Sequence, residues 1–217
     1  MSGSATPSIL VENLAGALDI MLGRQSGLSR IDLSSHGFAW SFSGLVLAGL
    51  IDTSVLSMLY DERVAQAVQV AQSGIAASSV VEVGRLYFLL GHLLVALFSY
   101  GASMAALYLL CRLPAEQQRF PVAIVVHNWA SAIVSLSFVP IVMIGIYFGG
   151  DPHPENGSPL VNLLSVFWIG VLIFVGLRLM RISLDLKPGK SVLFFTATSA
   201  VSIVASETIK PIFGLNF

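Results

Sequence analysis

The sequence predicts an all-α fold: a polytopic transmembrane bundle of about five helices, with one or two amphipathic helices lying on its surface. Three observations carry that expectation. Only 11% of the 217 residues are charged while 55% are apolar, against about 25% charged in soluble domains. The mean hydropathy is +0.84, and the apolar residues collect into blocks of about 20, the length that crosses a hydrocarbon layer. Between the blocks, apolar residues recur at helical spacing on one face. The net charge of −1 offers no basic patch for displacing phosphate counterions, so nucleic acid is not an expected partner. The lone Cys111 cannot form an internal disulfide and reads as a packing residue.

Residues 1–37 form the first of two expected parts, an N-terminal cytoplasmic segment with a surface helix. The stretch from Met1 to Gly23 lacks a basic residue before its apolar part, which Glu12 and Asp19 interrupt, so it does not read as a secretory signal. From Ile9 to Leu22 the apolar face comprises Ile9, Leu10, Leu14, Leu18, Met21 and Leu22. That face suits either a helix lying on the membrane or a docking helix for another protein. A turn-rich lead-in from Gly23 to Gly37 follows.

Residues 38–217 form the second part, the five-span domain. Span one runs from about Phe38 to Tyr60, with Trp40 and Tyr60 at headgroup level and Asp52 inside. Residues 61–83 are too polar to cross and are expected to form a second surface helix, with Val64, Val68, Ala71 and Ile75 on one stripe. Span two, about Leu86 to Leu110, carries His92 and the small residues Gly101 and Ala105, a strip that lets another helix approach closely. The short loop Arg112–Arg119 makes spans two and three expected antiparallel neighbours.

Span three, Phe120 to Gly150, is the stretch around which the rest is arranged, because it holds His127 and Asn128 about a quarter of the way in, where lipid would reject them. Pro140 removes a donor from the carbonyl of Leu136 and predicts a kink that the hydroxyls of Ser135 and Ser137 could help satisfy. Residues 149–159 are a turn, with Asp151, His153 and Glu155 solvated. Span four runs from Leu160 to about Leu177. Span five, Ser191 to Ile209, presents Thr198, Ser202 and Ser206 every four residues, a face suited to touching protein.

Charge gives the orientation. Eight Lys and Arg residues fall on the side of the N-terminal segment and the second and fourth loops, and three (Arg63, Arg85, Lys210) on the other. The excess marks the cytoplasmic face, with the N-terminus inside and the C-terminus outside.

The candidate site residues are the polar groups within the spans: Asp52, His92, His127, Asn128 and Glu207. Asp52 and His92 fall at similar depths, about 12 Å and about 9 Å from the outer side, and are expected to face each other. A carboxylate in hydrocarbon costs about 3 kcal/mol or more. Glu207 and Lys210, at i and i+3, are expected to pair. His127 and Asn128 are expected to contact the hydroxyl face of span five. No cofactor or metal is predicted. Trp129 and Trp168 lie deep enough to line a lipid, quinone or pigment pocket, with packing at a helix contact as the alternative. No phosphate-binding loop, no His pair at i, i+4 and no nucleophile elbow is present.

The surface helix, five spans, short basic loop, small-residue last span and the sequence His127-Asn128-Trp129-Ala130 at the start of span three together resemble the Yip family of membrane proteins, above all its bacterial members. The likeness covers Phe38 to Ile209. The tyrosine and glycine motifs of the eukaryotic members are absent, and Asp52 is an addition. The resemblance implies an organising or adaptor role without chemistry, and transfers no site residue.

The expected function is therefore that of a non-enzymatic bacterial inner-membrane protein, an accessory or organising subunit. Its expected partners are membrane lipids and other integral membrane proteins or further copies of itself, with contacts through Gly101, Ala105, Thr198, Ser202 and Ser206. The alternative is a small proton- or ion-coupled transporter using Asp52 and His92.

Overall fold

The computed structural model describes residues 8–72, 84–112, 114–148 and 159–213. The apolar blocks fold as helices: α1 (Ile9–Met21), α2 (Ser35–Gln72), α3 (Arg85–Leu110), the single turn α4 (Pro114–Gln117), α5 (Phe120–Phe148), α6 (Pro159–Ser183) and α7 (Pro188–Ile209). Short 3-10 turns occupy Gln25–Ser29 and Lys210–Phe213. There is no strand among the described residues. Five of these helices, α2, α3, α5, α6 and α7, are long and apolar enough to cross a membrane, which makes the chain an all-α integral membrane protein.

The α5 helix is the hub. It packs most heavily on α2 and also meets α6, α1 and, slightly, α3, whereas α3 packs chiefly on α7. Spans two and three are neighbours as expected, through side chains: Met104 and Leu107 share a core with Ala123 and Ile124, and the Tyr108 ring meets that of Phe120 at 5.3 Å. The backbone of α3 comes closer to α7, where Phe88 and Val95 meet Ile209 and Phe213. Brevity of a loop brings two ends together without dictating which helix approaches most closely.

A correction concerns α2. Instead of ending near Tyr60 and restarting on the surface, it runs unbroken to Gln72, 38 residues or about 57 Å. The segment 61–72 has no Gly or Pro to stop it. Its side chains, and residues 73–83 of the expected surface helix, lie outside the described residues, as does the turn with Asp151, His153 and Glu155. At its start α2 is capped by Ser34, whose hydroxyl accepts from the N–H of Gly37 at 3.1 Å.

The α1 helix has two faces. Its buried residues are Asn13, Gly16, Ala17 and Ile20, with Leu14 and Met21 of the expected apolar face packed beside them, while Ile9, Leu10, Leu18 and Leu22 of that face are exposed. Small residues let the buried face come close. A Cβ at Gly16 would lie 2.7 Å from the carbonyl oxygen of Gly27, so α1 and the 3-10 turn touch backbone to backbone. Asn13 is buried because it is a clasp: its Oδ1 accepts from the N–H of Asp32 at 2.8 Å and its Nδ2 donates to the carbonyl of Ile9 at 2.9 Å. Ala17, Ile20 and Ile31 then join Val125, Val126, Trp129 and Ala130 of α5 and Val175, Leu179 and Ile182 of α6 in one core. The N-terminal segment is thus wedged into one end of the span domain.

The turn after α1 is fixed by Gly23 at φ 87°, with Arg24 N–H donating to Asp19 O and Gly23 N–H to Ile20 O, both at 2.8 Å. This is a Schellman stop, which needs a left-handed residue at that point. Asp185, at φ 55°, serves the same purpose after α6.

Arg30 donates to Asp19 and Glu12, and Arg24 to Asp19, at 2.9–3.1 Å. The guanidinium of Arg30, and then that of Arg24, holds the Asp19 carboxyl below its ordinary value of 3.8. A carboxyl whose folded value is depressed stabilises above its unfolded value, and the contribution is lost as pH falls through the folded one. Amide exchange in α1, corrected for intrinsic rate, is therefore expected to accelerate below about pH 4, and Arg30→Gln should raise the exchange at neutral pH and flatten that pH dependence.

At the same end of the bundle, Lys190 reaches Glu116 at 2.8 Å and Arg119 reaches Asp185 at 3.3 Å, tying the α4 loop to the first turn of α7 and to the loop before it. Cys111 packs fully buried with Leu107, Ile124 and Phe194. Burial, with the Glu116 charge adding, pushes its thiol up to about 11, as befits a packing residue.

Candidate functional site

Two polar clusters lie inside the spans. The first is built on Asn128. On α2, Ser41 and Gly44 stand three residues apart and so share the face that meets α5. A Cβ at Gly44 would lie 2.9 Å from both the Asn128 carbonyl oxygen and the Trp129 ring, so the glycine is what lets α2 close on α5. Ser41 and Asn128 are fully buried. The Asn128 Nδ2 donates to Ser41 Oγ at 3.0 Å, Tyr100 O–H donates to Asn128 Oδ1 at 2.5 Å, and Ser41 O–H donates to the Phe38 carbonyl at 2.7 Å. Three spans are stitched together by one amide, whose oxygen and nitrogen both find partners.

The expectation that His127 and Asn128 contact span five is therefore corrected. Asn128 binds α2 and α3, and the ring of His127 lies 5.8 Å from that of Tyr100 on α3. Span five was the hydroxyl-rich candidate, but its Thr198 turns back to its own helix, donating to Phe194 O at 2.8 Å. Trp129 is fully buried in the α1–α5–α6 core, and its Nε1 meets no hydrogen-bond partner among the described residues. Trp168 stacks on Phe138 with centroids 6.2 Å apart. Both tryptophans pack at helix contacts.

The second cluster is a groove of 430 Å³ between α2, α3 and α7, toward the end of the bundle away from α1. Helical spacing explains its composition. His92, Val95, Ala96 and Ser99 form one stripe of α3, Asp52 and Leu56 one stripe of α2, and Ser202, Ile203, Ser206 and Glu207, with Lys210 beyond, one stripe of α7. The residues expected to share a depth, Asp52 and His92, do share this groove. Their hydrogen bonds run elsewhere: the Asp52 carboxylate accepts from Ser135 of α5, and His92 Nδ1 lies 2.9 Å from the Phe88 carbonyl. The expected pair of Glu207 and Lys210 is present at 2.5 Å. Ser99 is over nine-tenths buried, and its Oγ meets no hydrogen-bond partner among the described residues.

Toward α1 the groove stops at Ser99. Beyond it stand the Tyr100–Asn128–Ser41 chain and the packed residues Met104, Leu107 and Ile124. The small-residue strip points the other way: Gly101 and Ala105 are exposed, and a Cβ at Gly101 would meet nothing within 4 Å. Ser137, expected to help at Pro140, donates instead to Val134 O at 2.9 Å, and α5 continues through the proline.

Sequence reasoning missed Ser41, Gly44, Ser99 and Tyr100, and assigned Ser135 to the proline rather than to Asp52. The i, i+3 spacing of Ser41 and Gly44 was a readable signal for a close helix contact. No grouping of three or more His, Cys, Asp or Glu that could hold a metal occurs among the described residues. No family model, curated protein or solved structure matches the chain.

Proposed function

We propose that this chain is a non-enzymatic accessory or organising subunit of the bacterial inner membrane that binds other membrane proteins or further copies of itself, N-terminus inside and C-terminus outside. The observation that carries the reading is the outward-facing strip of Gly101 and Ala105 on α3, left uncovered by the described residues. In hydrocarbon there is little hydrophobic drive between helices, and such small-residue surfaces are where backbones approach closely. The Yip-like pattern around His127-Asn128-Trp129-Ala130 and the eight-to-three distribution of Lys and Arg support the adaptor role and the orientation.

Gly101→Leu tests it. No described residue stands within 4 Å of a Cβ at that position, so the stability of the isolated protein should change by no more than about 0.5 kcal/mol. Complexes seen by native electrophoresis of gently extracted membranes should dissociate. Complexes that survive the substitution intact would overturn the reading.

A second reading is supported by the groove itself, where Asp52 and His92 lie within one lining: a small proton- or ion-coupled carrier. Asp52→Asn should then abolish ion flux in proteoliposomes while leaving assembly intact. Under the accessory reading flux is unaffected.

A further inference from the structure

We infer that the groove between α2, α3 and α7 is a binding site for a lipophilic cation, a small molecule with an apolar body and a positive charge that seats against Asp52 and the hydroxyl of Ser99. This goes beyond both readings above, since binding is measured without flux or a protein partner.

Charge comes first. Within the lining, Glu207 is matched by Lys210, while the Asp52 carboxylate meets no cation among the described residues. Ser135 supplies the carboxylate with a hydrogen bond but no counter-charge, and a carboxylate has about four acceptor positions to fill. At this depth in a span an uncompensated carboxylate is costly, and a cation that brings the opposite charge recovers that cost.

The second observation is independent of charge. The Ser99 hydroxyl is over nine-tenths buried, lines the same groove and meets no partner among the described residues. A buried hydroxyl without a partner costs about 1–3 kcal/mol. A ligand that presents positive charge to its lone pairs offsets part of that penalty by a charge–dipole contact, which an apolar chain cannot supply.

Shape supplies the rest. Leu56, Val95 and Ile203 give the groove apolar walls that suit a hydrocarbon or aromatic body. Its 430 Å³ lies in the range of small-molecule sites, roughly 300–1,000 Å³. That is far less than the volume of a partner helix about 10 Å across and 30 Å long.

The test uses two ions of the same size and shape and opposite sign, tetraphenylphosphonium and tetraphenylborate. The full chain is placed in phosphatidylcholine nanodiscs at pH 8, above the ordinary imidazole value, and binding is measured by equilibrium dialysis against empty discs. Tetraphenylphosphonium should bind saturably, one per chain, and tetraphenylborate should only partition. Asp52→Asn should weaken the phosphonium by about tenfold or more and Ser99→Ala by a few-fold. Ile203→Trp, at an exposed position on the groove wall, should block binding by filling the space, and keeps the test decisive if Asp52→Asn fails to fold. Saturable binding of both ions alike, phosphonium affinity indifferent to Asp52→Asn and Ile203→Trp, or no saturable phosphonium binding would each overturn the inference.

Discussion

Gly44→Ala should destabilise the bundle by about 1–3 kcal/mol, and Gly44→Leu by more, although replacing a helical glycine by alanine ordinarily gains up to about 1 kcal/mol. The sign reverses because the new Cβ would stand 2.9 Å from a carbonyl oxygen of α5 and 2.9 Å from the Trp129 ring. The first is backbone and the second is a fully buried ring, so neither can yield cheaply in a close-packed interior. The same substitution at Gly49, where the nearest atom is a Leu93 methyl at 3.7 Å, should be neutral or stabilising. Unfolding curves in a mixed detergent series would measure all three. Equal responses at Gly44 and Gly49 would remove the argument that Gly44 sets the approach of α2 to α5.

Asn128→Leu is expected to cost about 2–3 kcal/mol. Two inter-span hydrogen bonds disappear, each worth about 0.6 kcal/mol and at most about 1.7, and the Tyr100 hydroxyl loses its acceptor, which adds about 1–3 kcal/mol if it stays buried. Ser41 is hurt less, because its proton already goes to the Phe38 carbonyl. The same unfolding assay therefore has a built-in order: Asn128→Leu largest, Tyr100→Phe smaller, Ser41→Ala smaller still. Tyr100→Phe should cost little more in the Asn128→Leu background, since the bond it removes is already gone. Full additivity of the two would show that the amide and the phenol act separately.

The spans and their number were legible because hydrophobic length is a local property: a block of about 20 apolar residues reads the same in any neighbourhood. The importance of span three was legible for a related reason, since His127 and Asn128 demand partners wherever the helix sits. Which partners was not legible. Tyr100 sits 28 residues from Asn128 and Ser41 sits 87 away, and no spacing in the sequence ties either to it.

The α1 helix shows the same limit from the other side. Its leucines marked an apolar face, but the docked face is centred on Asn13, Gly16, Ala17 and Ile20, because closeness of approach and a clasped backbone N–H are not written in hydrophobic spacing. For Asp52, depth was readable from the sequence and direction was not. It found Ser135 on α5 while lining the groove with His92.

The unbroken run of α2 makes it a mechanical arm. Gly44 is the fulcrum, where the helix is pressed against α5 with no slack, and Gln72 is 28 residues farther along the same rod, about 42 Å away. A rocking motion of only about 5° at the fulcrum would sweep the far tip through nearly ~4 Å. Displacement of that size, generated by whatever fills or vacates the space beside Asp52, would be delivered outside the lipid layer with no hinge to absorb it.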